Sequence, residues 1–495
     1  MIDSPIFFVV ITYLPASLGF LGCIKSRFIF PISLITLLGI AGLSFWCIQT
    51  GFETSYTLMW KGGIEFAFDQ YAFPLLLGAS ISLLIVLSVY RDRLSHYFYQ
   101  ICLVLLTALT VSFTAQDLIS IYIALELTGF CAFILIADRN DNKSLFQAFQ
   151  YLIGGGLAML IYLIGVVQGF QFSGSFLISD LSTATTPALC LIVAGLLTKA
   201  GIFICGLWVP NIYSHANRQS AAILSGCVTC AGVAPIARLS ERMEPIGNSM
   251  VVIGVLSAII AALYAVFERD DGRAIGWSSV SQLGLAILSP SYACIYAMQH
   301  GICKTLLFTT LSSPKKNLAE QSSPTGIPEW VVVAVFIIAS LSIMGFPLTA
   351  GFVTKTWLKS DIPLDARLIT STSALLTATV YTRLIWSRIT VYRGNLVNNQ
   401  YDKIQKFNTI NPQTLLLGLS GVLIIVFGLS YPEGYYYDNI QSSITAVVLA
   451  CFLYTSIVGL QTDSIVKPVT KTLDLVGAPF LVAALLLANL FYFKI

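Results

Sequence analysis

The sequence predicts an all-α polytopic membrane protein, and three observations support this fold class. Only 10% of the 495 residues are charged and 56% are hydrophobic, whereas about a quarter of a soluble domain is charged. The mean hydropathy is +0.82. Apolar runs of about 18 or more residues, the length of a membrane-crossing helix, recur from one end of the chain to the other. These features exclude a soluble globular protein, a disordered chain and a transmembrane barrel, whose strands are short alternating segments.

The apolar runs between charged or Pro/Gly-rich breaks predict about 14–16 transmembrane helices. The first run reads as a retained helix and not as a cleaved signal, because no basic segment precedes it. The longest loops lie near 49–72 and 387–412, and neither is long enough for a soluble domain. The span at 274–289 is short and polar, and the last two spans are candidates for peripheral additions. The candidate spans are 6–24, 28–48, 73–90, 100–116, 118–137, 145–168, 188–209, 219–237, 250–267, 274–289, 291–311, 330–354, 368–386, 413–431, 440–460 and 475–493.

The distribution of basic residues predicts the orientation in the membrane, because Lys and Arg concentrate in cytoplasmic loops. Of the 27 basic residues, we place 17 in the loops of one side, six on the other side and four inside spans, and 17 + 6 + 4 = 27. This asymmetry predicts an N-terminus outside. The six outside residues are Lys61, Arg238, Arg242, Lys359, Arg367 and Lys494.

Several function classes are excluded by what the sequence lacks. The net charge of +3 is too small and too scattered for a nucleic-acid partner. The eleven cysteines lie almost all in apolar runs, where thiols are usually core residues. Cys227 and Cys230 form a C-x-x-C, but it is single and lies within an apolar helix. The three histidines cannot form a His-rich metal site, and no nucleotide, flavin or iron–sulfur motif is present. We therefore predict no catalytic residue, no metal and no cofactor in this chain.

Charged residues inside the spans are the candidate functional residues. The basic ones are Lys199, Lys304, Lys355 and Arg383, and Glu126 is the acid deep in a span. A charge at the bilayer centre costs about 2.5–3.5 kcal/mol, so such residues usually face a polar pathway. Structural ion pairs and lysines that extend to the interface are the alternative. We favour an ion path for Glu126 and the three lysines, and a structural role for Arg383, because arginine is effectively always protonated.

An acid and a lysine in one helical bundle can gate a proton. Burial disfavours the ammonium form of a lysine, and a nearby carboxylate restores it. If the carboxylate moves, the lysine loses its proton. Glycines and a proline near Lys199 and Lys355 predict interrupted helices, which transporters use to build ion sites. Both lysines end a G-x-x-T-K string, five spans apart, and this odd offset is what an inverted repeat requires.

Six motifs in order resemble the antiporter-like membrane subunits shared by Mrp-type cation/proton antiporters and complex I. The resemblance covers roughly residues 70–390. It rests on the acidic helix, the first broken lysine helix, the helix after it, the "KRxxAYSSxSQxG" string, the "HAxFKAxLF" string and the second broken helix. The matching segments are Leu125–Leu127, Gly195–Pro210, Ser220–Gly232, Arg273–Gly284, His300–Phe308 and Gly345–Lys355.

The resemblance implies two inverted five-helix repeats, each containing a broken helix, and a proton path through both. Glu126 and Lys199 would form the gating pair of the first half-channel. His300 and Lys304 would lie in the relay of the second, and Lys355 would be its exit or entry residue. The implied organisation is 1–99 (N-terminal helices), 100–240 (first repeat), 250–390 (second repeat) and 391–495 (C-terminal helices).

Three positions depart from the family pattern. Cys230 stands where the family has a lysine, Gly206 where the "PxH" of the broken helix has its histidine, and Tyr296 where many relatives have a histidine four residues before His300. Water, serine or tyrosine would then have to link the two half-channels. Together with Arg383, Cys230 and Tyr296 are auxiliary candidates.

The leading hypothesis at this point is a D-type, proton-translocating subunit of an Mrp-type Na⁺/H⁺ antiporter, because Gly206 and the chain length favour that subfamily. The alternative is a proton-pumping subunit of a complex-I-like NAD(P)H:quinone oxidoreductase. A purely structural subunit and a stand-alone transporter are further alternatives. The first two imply other membrane subunits as partners, protons and, in the Mrp case, Na⁺ as transported ions, and an energy-coupling membrane (plasma, inner or thylakoid) as the location.

Overall fold

The structure, a computed structural model, describes residues 5–24, 26–59, 64–138, 141–311, 327–362, 364–397 and 411–458. Helices account for most of these residues, as the sequence predicts. In chain order they are α1 (Pro5–Ile24), α2 (Ile29–Thr50), α3 (Ala72–Val89), α4 (His96–Thr114), α5 (Leu118–Ile136), α6 (Asn142–Ser173), α7 (Thr186–Ala200), α8 (Trp208–His215), α9 (Arg218–Ile223), α10 (Val233–Arg242), α11 (Glu244–Phe267), α12 (Asp271–Ala286), α13 (Pro290–Thr310), α14 (Glu329–Met344), α15 (Ala350–Asp361), α16 (Leu364–Val397), α17 (Pro412–Ser430) and α18 (Tyr437–Val458).

The predicted spans correspond to these helices. Every span from 6–24 to 440–460 overlaps a helix or a broken helix pair, whereas 475–493 lies outside the described residues. Eight helices in the described chain are long and apolar enough to cross a bilayer by themselves. The polar span near 274–289 is also a helix, α12, and its residues are buried among its neighbours. The fold class predicted from the sequence is therefore confirmed.

Both predicted helix interruptions are present. The span predicted at 188–209 is divided into α7 and α8, and the one at 330–354 into α14 and α15. Gly201 and Gly345 follow the last residues of α7 and α14 with φ of 66° and 81°, a left-handed conformation that glycine adopts without steric cost. The helix sequence α4 to α10 thus has the same pattern as α11 to α16, with a broken fourth member in each. The inverted orientation of the two units stays a prediction.

The helix after the first break is irregular but continuous. A π-helical turn at Leu224–Val228 and a 3₁₀ turn at Thr229–Gly232 join α9 to α10. Single π turns inside helices are frequent at functional sites. Cys230, which stands where the family pattern has a lysine, lies in this irregular segment.

The long loop predicted at 49–72 contains a β-hairpin. Strands Thr54–Met59 (β1) and Ile64–Phe68 (β2) pair in antiparallel register. The alternation of Ile64, Phe66 and Phe68 with smaller or polar residues is the period-two signal of a half-buried strand, and Phe66 and Phe68 are buried.

Loops that the alternation of spans places on the same side do lie together. The Gln116 amide donates to the Glu65 carbonyl of the hairpin, and the Ile178 amide donates to the Gln116 carbonyl. Arg242 also donates to the Gln116 side chain. On the opposite side, the Asn217 amide donates to the Asp138 carboxylate. Which of the two sides faces the cytoplasm stays a prediction from the basic-residue count.

Arg238 corrects that count, because it is buried in an ion pair and is not an exposed residue at the end of a span. It lies in α10, is 2% exposed and makes a bidentate ion pair with Asp69, with Nη2–Oδ1 and Nη2–Oδ2 distances of 2.8 and 3.0 Å. Because its charge is compensated by a buried ion pair, Arg238 should not be counted among the basic residues that predict the orientation in the membrane.

The centre of the bundle is α13. It packs against α3, α10, α12, α14 and α15, and every residue from 296 to 310 is buried. A helix that is surrounded on all sides holds its polar side chains away from lipid. Lys304 is one of them.

Candidate functional site

The first part of the site is an ion pair between α5 and α7. The Lys199 Nζ atom lies 3.3 Å from the Glu126 Oε1 atom. The lysine side chain is 7% exposed and the glutamate side chain 25%. Glu126 is thus at the edge of the bundle while Lys199 is inside it. Only tertiary packing joins these two positions, which are 73 residues apart along the chain (199 − 126).

Two glycines make room for the lysine head. A Cβ atom built on Gly129 would lie 3.0 Å from Lys199 Nζ, and one built on Gly155 would lie 3.3 Å from it. Both distances are shorter than ordinary contacts, so side chains at these positions would displace the ammonium group. The small residues of α5 and α6 therefore define where the charge of Lys199 lies.

The interruption after α7 is closed by backbone and indole hydrogen bonds. The amides of Ile202 and Gly206 donate to the carbonyls of Leu197 and Ile202, at 3.1 and 2.7 Å. The Trp208 Nε1 atom donates to the Thr198 carbonyl at 2.9 Å. A Cβ atom on Gly206 would lie 2.1 Å from the Gly201 carbonyl oxygen. The local backbone therefore leaves no space for a side chain at position 206, which explains why glycine stands there and not the histidine of the family pattern.

The second part of the site surrounds Lys304, which is completely buried. Its Nζ atom donates to the Ile275 carbonyl and to the Tyr381 hydroxyl, each at 2.8 Å. The Tyr381 hydroxyl lies 3.1 Å from the Ser278 hydroxyl. In the described chain no carboxylate is within ion-pairing distance of Lys304, so neutral oxygen atoms of α12 and α16 hold its amine.

His300 lies one helical turn before Lys304 on α13 and is 2% exposed. Residues four apart share a helix face, so both side chains are on one side of α13. The His300 Nε2 atom has no hydrogen-bond partner among the described residues. The structure therefore places the predicted relay residues of the second half together.

The third part is the second interruption, where Lys355 lies. Its Nζ atom donates to the Ile343 carbonyl at 2.6 Å, which is one of the carbonyls left without a helical partner when α14 ends. A Cβ atom on Gly345 would lie 2.8 Å from Lys355 Cδ. The lysine stem therefore packs directly on the glycine that ends α14.

Polar side chains fix this interruption to α13. The Gln299 amide donates to the Ser342 hydroxyl at 3.0 Å, and the Ser342 hydroxyl accepts from the Gly351 amide at 3.0 Å. A Cβ atom on Gly351 would lie 1.8 Å from the Ser342 carbonyl oxygen, so α14 and α15 approach each other more closely than any side chain there permits.

A cavity of about 410 Å³ adjoins Lys355. It lies between α14, α15, α16 and α18. Its described lining includes two lysines, several hydroxyl groups and an amide, and no carboxylate. The polar lining residues are Lys355, Thr356, Lys359, Thr370, Ser371, Thr372, Asn439, Ser442, Ser443 and Thr445.

One helix separates the first part of the site from the second. A Cβ atom on Gly232 would lie 2.8 Å from the Leu196 carbonyl of α7, and one on Gly226 would lie 3.1 Å from the Gly301 carbonyl of α13. Between these glycines, the Cys230 Sγ atom lies 3.7 Å from the Ala297 carbonyl. Cys230 thus occupies the intervening position, with a weak donor where the family has a cation.

The two other auxiliary candidates differ in their surroundings. The buried Tyr296 hydroxyl donates to the Gln282 side chain at 2.6 Å, within the second part of the site. Arg383 donates through Nη1 to the carbonyls of Val266 and Glu268 at the end of α11. A cation at a helix C-terminus is a stabilising arrangement, which supports the structural role expected for Arg383.

Sequence reasoning missed the uncharged members of the site. Tyr381, Thr377, Ser278 and Gln282 are buried at the contacts of α12, α13 and α16. The signal for the last two was the polar string 278–282 inside an otherwise apolar span. Nothing in the sequence distinguishes Tyr381 from the other tyrosines of the apolar segments.

Comparisons with known proteins agree with this arrangement. Residues 115–382, more than half of the chain, match the family described as NADH:quinone oxidoreductase/Mrp antiporter, TM. The chain is 28% identical over 289 residues to NADH-quinone oxidoreductase subunit N of Desulforudis audaxviator, covering 53% of this chain and 58% of that protein. It is 26% identical over 404 residues to chloroplastic NAD(P)H-quinone oxidoreductase subunit 5 of Lemna minor, covering 71% and 54%. The chain thus spans a little over half the length of these two curated relatives.

Solved structures share the fold at low identity. A chain of the Mrp complex from Dietzia sp. has a TM-score of 0.71 at 17% identity, with 94% of this chain and 98% of that chain covered. A chain of respiratory complex I from Thermus thermophilus has a TM-score of 0.69 at 19% identity, with 86% and 97% covered. The fold, the matched residues and the buried charges agree, and the chain belongs to the NADH:quinone oxidoreductase/Mrp antiporter transmembrane family.

Proposed function

We propose that this protein is a proton-translocating membrane subunit of a multi-subunit energy-coupling complex. The observation that carries the proposal is the placement of three buried or half-buried lysines at helix interruptions and in the central helix, with one acid paired to the first. Placing these charges inside an apolar bundle is costly. A proton path gives a reason for that cost.

In the first half, Glu126 acts on Lys199. At 3.3 Å the carboxylate stabilises the ammonium form, which burial alone would disfavour. Because Glu126 is one-quarter exposed at the edge of the bundle, a partner subunit can move or neutralise it without repacking the core. Loss of the carboxylate then releases the Lys199 proton.

In the second half, Lys304 takes up and releases the proton among neutral oxygens. A carbonyl and a phenol accept hydrogen bonds from its ammonium form, but neither supplies a full compensating charge. The amine therefore releases its proton more readily than it would beside a carboxylate. His300 is the nearest further titratable side chain on the same helix face. Lys355 connects this half to the cavity between α14, α15, α16 and α18.

For the parent complex we propose a complex-I-like NAD(P)H:quinone oxidoreductase. The curated relatives named above carry that name, and electron transfer would occur in other chains. This replaces the sequence-based preference for an Mrp antiporter. The specific observation that keeps the Mrp-type Na⁺/H⁺ antiporter as a second candidate is Gly206, whose backbone surroundings leave no space for the histidine usual in complex I. Other membrane subunits are the proposed partners in both cases.

Among the described residues, the cavity beside Lys355 offers no site that fits Na⁺. The described lining of the Lys355 cavity has two lysines and no carboxylate, whereas Na⁺ needs oxygen ligands without competing cations. If the complex exchanges sodium, we place the site in a partner chain. We also propose an N-terminus on the outer side, from the remaining asymmetry of basic residues.

The test is purification of the tagged protein in mild detergent, identification of its partners by mass spectrometry, and transport in membrane vesicles. We expect quinone-oxidoreductase subunits as partners, and proton translocation that Glu126→Gln abolishes and Glu244→Gln, at an exposed position, preserves. Small Mrp-type partner subunits would instead establish the second candidate. Normal translocation by Glu126→Gln at normal abundance would overturn the proton-path proposal.

A further inference from the structure

Hydroxyl and amide groups form a ladder along the contact of α12, α13 and α16. Ser373, Thr377 and Tyr381 follow one face of α16 at a spacing of four residues, and all three are at most 2% exposed. The Ser373 hydroxyl lies 3.4 Å from the Ser281 hydroxyl, and Thr377 Oγ1 accepts from the Gln282 amide at 3.1 Å. These buried polar groups form one continuous polar contact between the three helices, where side chains hydrogen-bond across helices.

The ladder has two ends. At one end, the Tyr381 hydroxyl accepts from Lys304 and contacts Ser278. From Tyr381 to Thr377 and from Thr377 to Ser373, each step is one helical turn, about 5.4 Å along α16. At the other end, Thr370, Ser371 and Thr372 of the same helix line the cavity that contains Lys355.

His300 lies on the same face of α13 as Lys304. Between Tyr381 and Thr377 no direct hydrogen bond is present among the described contacts. On α13, His300 is one turn from Lys304 and one turn from Tyr296, whose hydroxyl donates to Gln282 at 2.6 Å. The buried His300 Nε2 atom has no partner among the described residues, and the spacing of four residues places it between Tyr296 and Lys304 along one face of α13.

We propose that Tyr381 and Thr377 are further proton-path residues, which connect Lys304 to the Lys355 cavity along α16. The proposal rests on the proposed function. A hydroxyl accepts one proton while it donates another. In the first step the Lys304 N–H bond breaks and an O–H bond forms at Tyr381, while the original Tyr381 O–H bond breaks and its proton passes to a water molecule of the path, which becomes hydronium. The positive charge moves with the proton, and no electron or other group is transferred.

The ladder also accounts for Tyr296. Where many family members have a histidine, this chain has a tyrosine that binds Gln282, and Gln282 binds Thr377. The side chain at 296 thus orients the amide next to Thr377 and replaces a titratable group by a positioning group.

The experiment compares hydroxyl deletions on and off the ladder, as proton translocation per assembled complex. We expect Tyr381→Phe to reduce the rate about tenfold or more. Its matched control is Tyr162→Phe, which also removes a buried phenol hydrogen bond, here to the Leu118 carbonyl, and we expect a normal rate.

A second pair tests the middle of the ladder. Thr377→Val removes the hydroxyl that accepts from Gln282, and Thr379→Val removes one that bonds only to its own helix, at the Leu375 carbonyl. We expect slow translocation for Thr377→Val, normal translocation for Thr379→Val, and recovery for Thr377→Ser, which keeps the hydroxyl. A structural role for Thr377 would instead lower abundance in both Thr377 variants without a change in rate per complex.

The outcomes separate this proposal from the proposed function. Normal rates for Tyr381→Phe and Thr377→Val, together with an inactive Lys304→Met, would overturn the ladder and leave the lysine relay standing. A normal rate for Lys304→Met would overturn both.

Discussion

Removing both members of the Glu126–Lys199 pair should cost less stability than the two single changes predict. Glu126→Gln leaves Lys199, which is 7% exposed, without its counter-charge in the bundle. Lys199→Met leaves the carboxylate beside an apolar side chain. Breaking a buried pair on one side typically costs about 3–5 kcal/mol. The double variant leaves neither charge behind, so its cost is smaller than the sum.

The size of the coupling follows from the geometry. At 3.3 Å and an effective dielectric constant of about 20, the Coulomb attraction is about 5 kcal/mol. Desolvation of both groups opposes this attraction, and the exposed quarter of Glu126 weakens it further. We therefore expect a coupling free energy of about 1–3 kcal/mol, the range measured for residues in direct contact.

The assay is a double-mutant cycle with two readouts. Thermal stability and abundance of the assembled complex measure the contact, and proton translocation in vesicles measures the function. We expect Glu126→Gln/Lys199→Met to be more abundant than Lys199→Met alone and to stay inactive. Additive losses of stability would refute the contact, and normal transport by the double variant would make the pair structural and end the relay argument for this half.

Three further predictions concern the lysines and their surroundings. Lys304→Arg should abolish proton translocation as fully as Lys304→Met, because arginine keeps the charge but cannot release its proton. A mild effect of Lys304→Arg in the same vesicle assay would show that Lys304 only supplies a positive charge and does not carry the proton. Gly129→Ala should slow translocation several-fold by displacing the Lys199 ammonium. Gly156→Ala, with no atom within 4 Å of the added methyl, should leave translocation unchanged and stabilise the helix by about 1 kcal/mol in thermal melts. Equal translocation rates for the two variants would refute the inference that Gly129 sets the position of the Lys199 ammonium. Lys355→Gln should block translocation and Lys359→Gln should not, although both lysines line the cavity. The reason is that only Lys355 donates to the carbonyl at the helix break. Equal losses of translocation rate in the two variants would show that any positive charge in the cavity has the same effect.

The charged part of the site could be predicted because the membrane makes charge rare. In an apolar span every Lys or Glu is conspicuous, so Glu126, Lys199, Lys304 and Lys355 were identified by their cost alone. The structure places the first two at 3.3 Å and the last two in separate environments. The functional roles of all four stay predictions.

The uncharged part could not be predicted for the same reason. Serine and threonine cost little in a helix, because their hydroxyls can bond to the backbone carbonyl four residues earlier. Thr379 does so with Leu375, whereas Thr377 also accepts from Gln282 on another helix. The two threonines are equivalent in sequence, and only the facing helix distinguishes them.

By itself the sequence determined the helical membrane fold, the approximate spans, both helix interruptions and the identity of the buried charges. These are local properties, set by hydropathy over about 20 residues and by glycines, which adopt a positive φ without steric cost. The hairpin at 54–68 and the buried Arg238–Asp69 pair were decided by tertiary structure. So were the partners of each lysine: a carboxylate for Lys199, a phenol for Lys304 and a free helix carbonyl for Lys355. Partners come from helices distant in the chain, and the packing of those helices depends on the shapes of whole surfaces, which no short segment encodes.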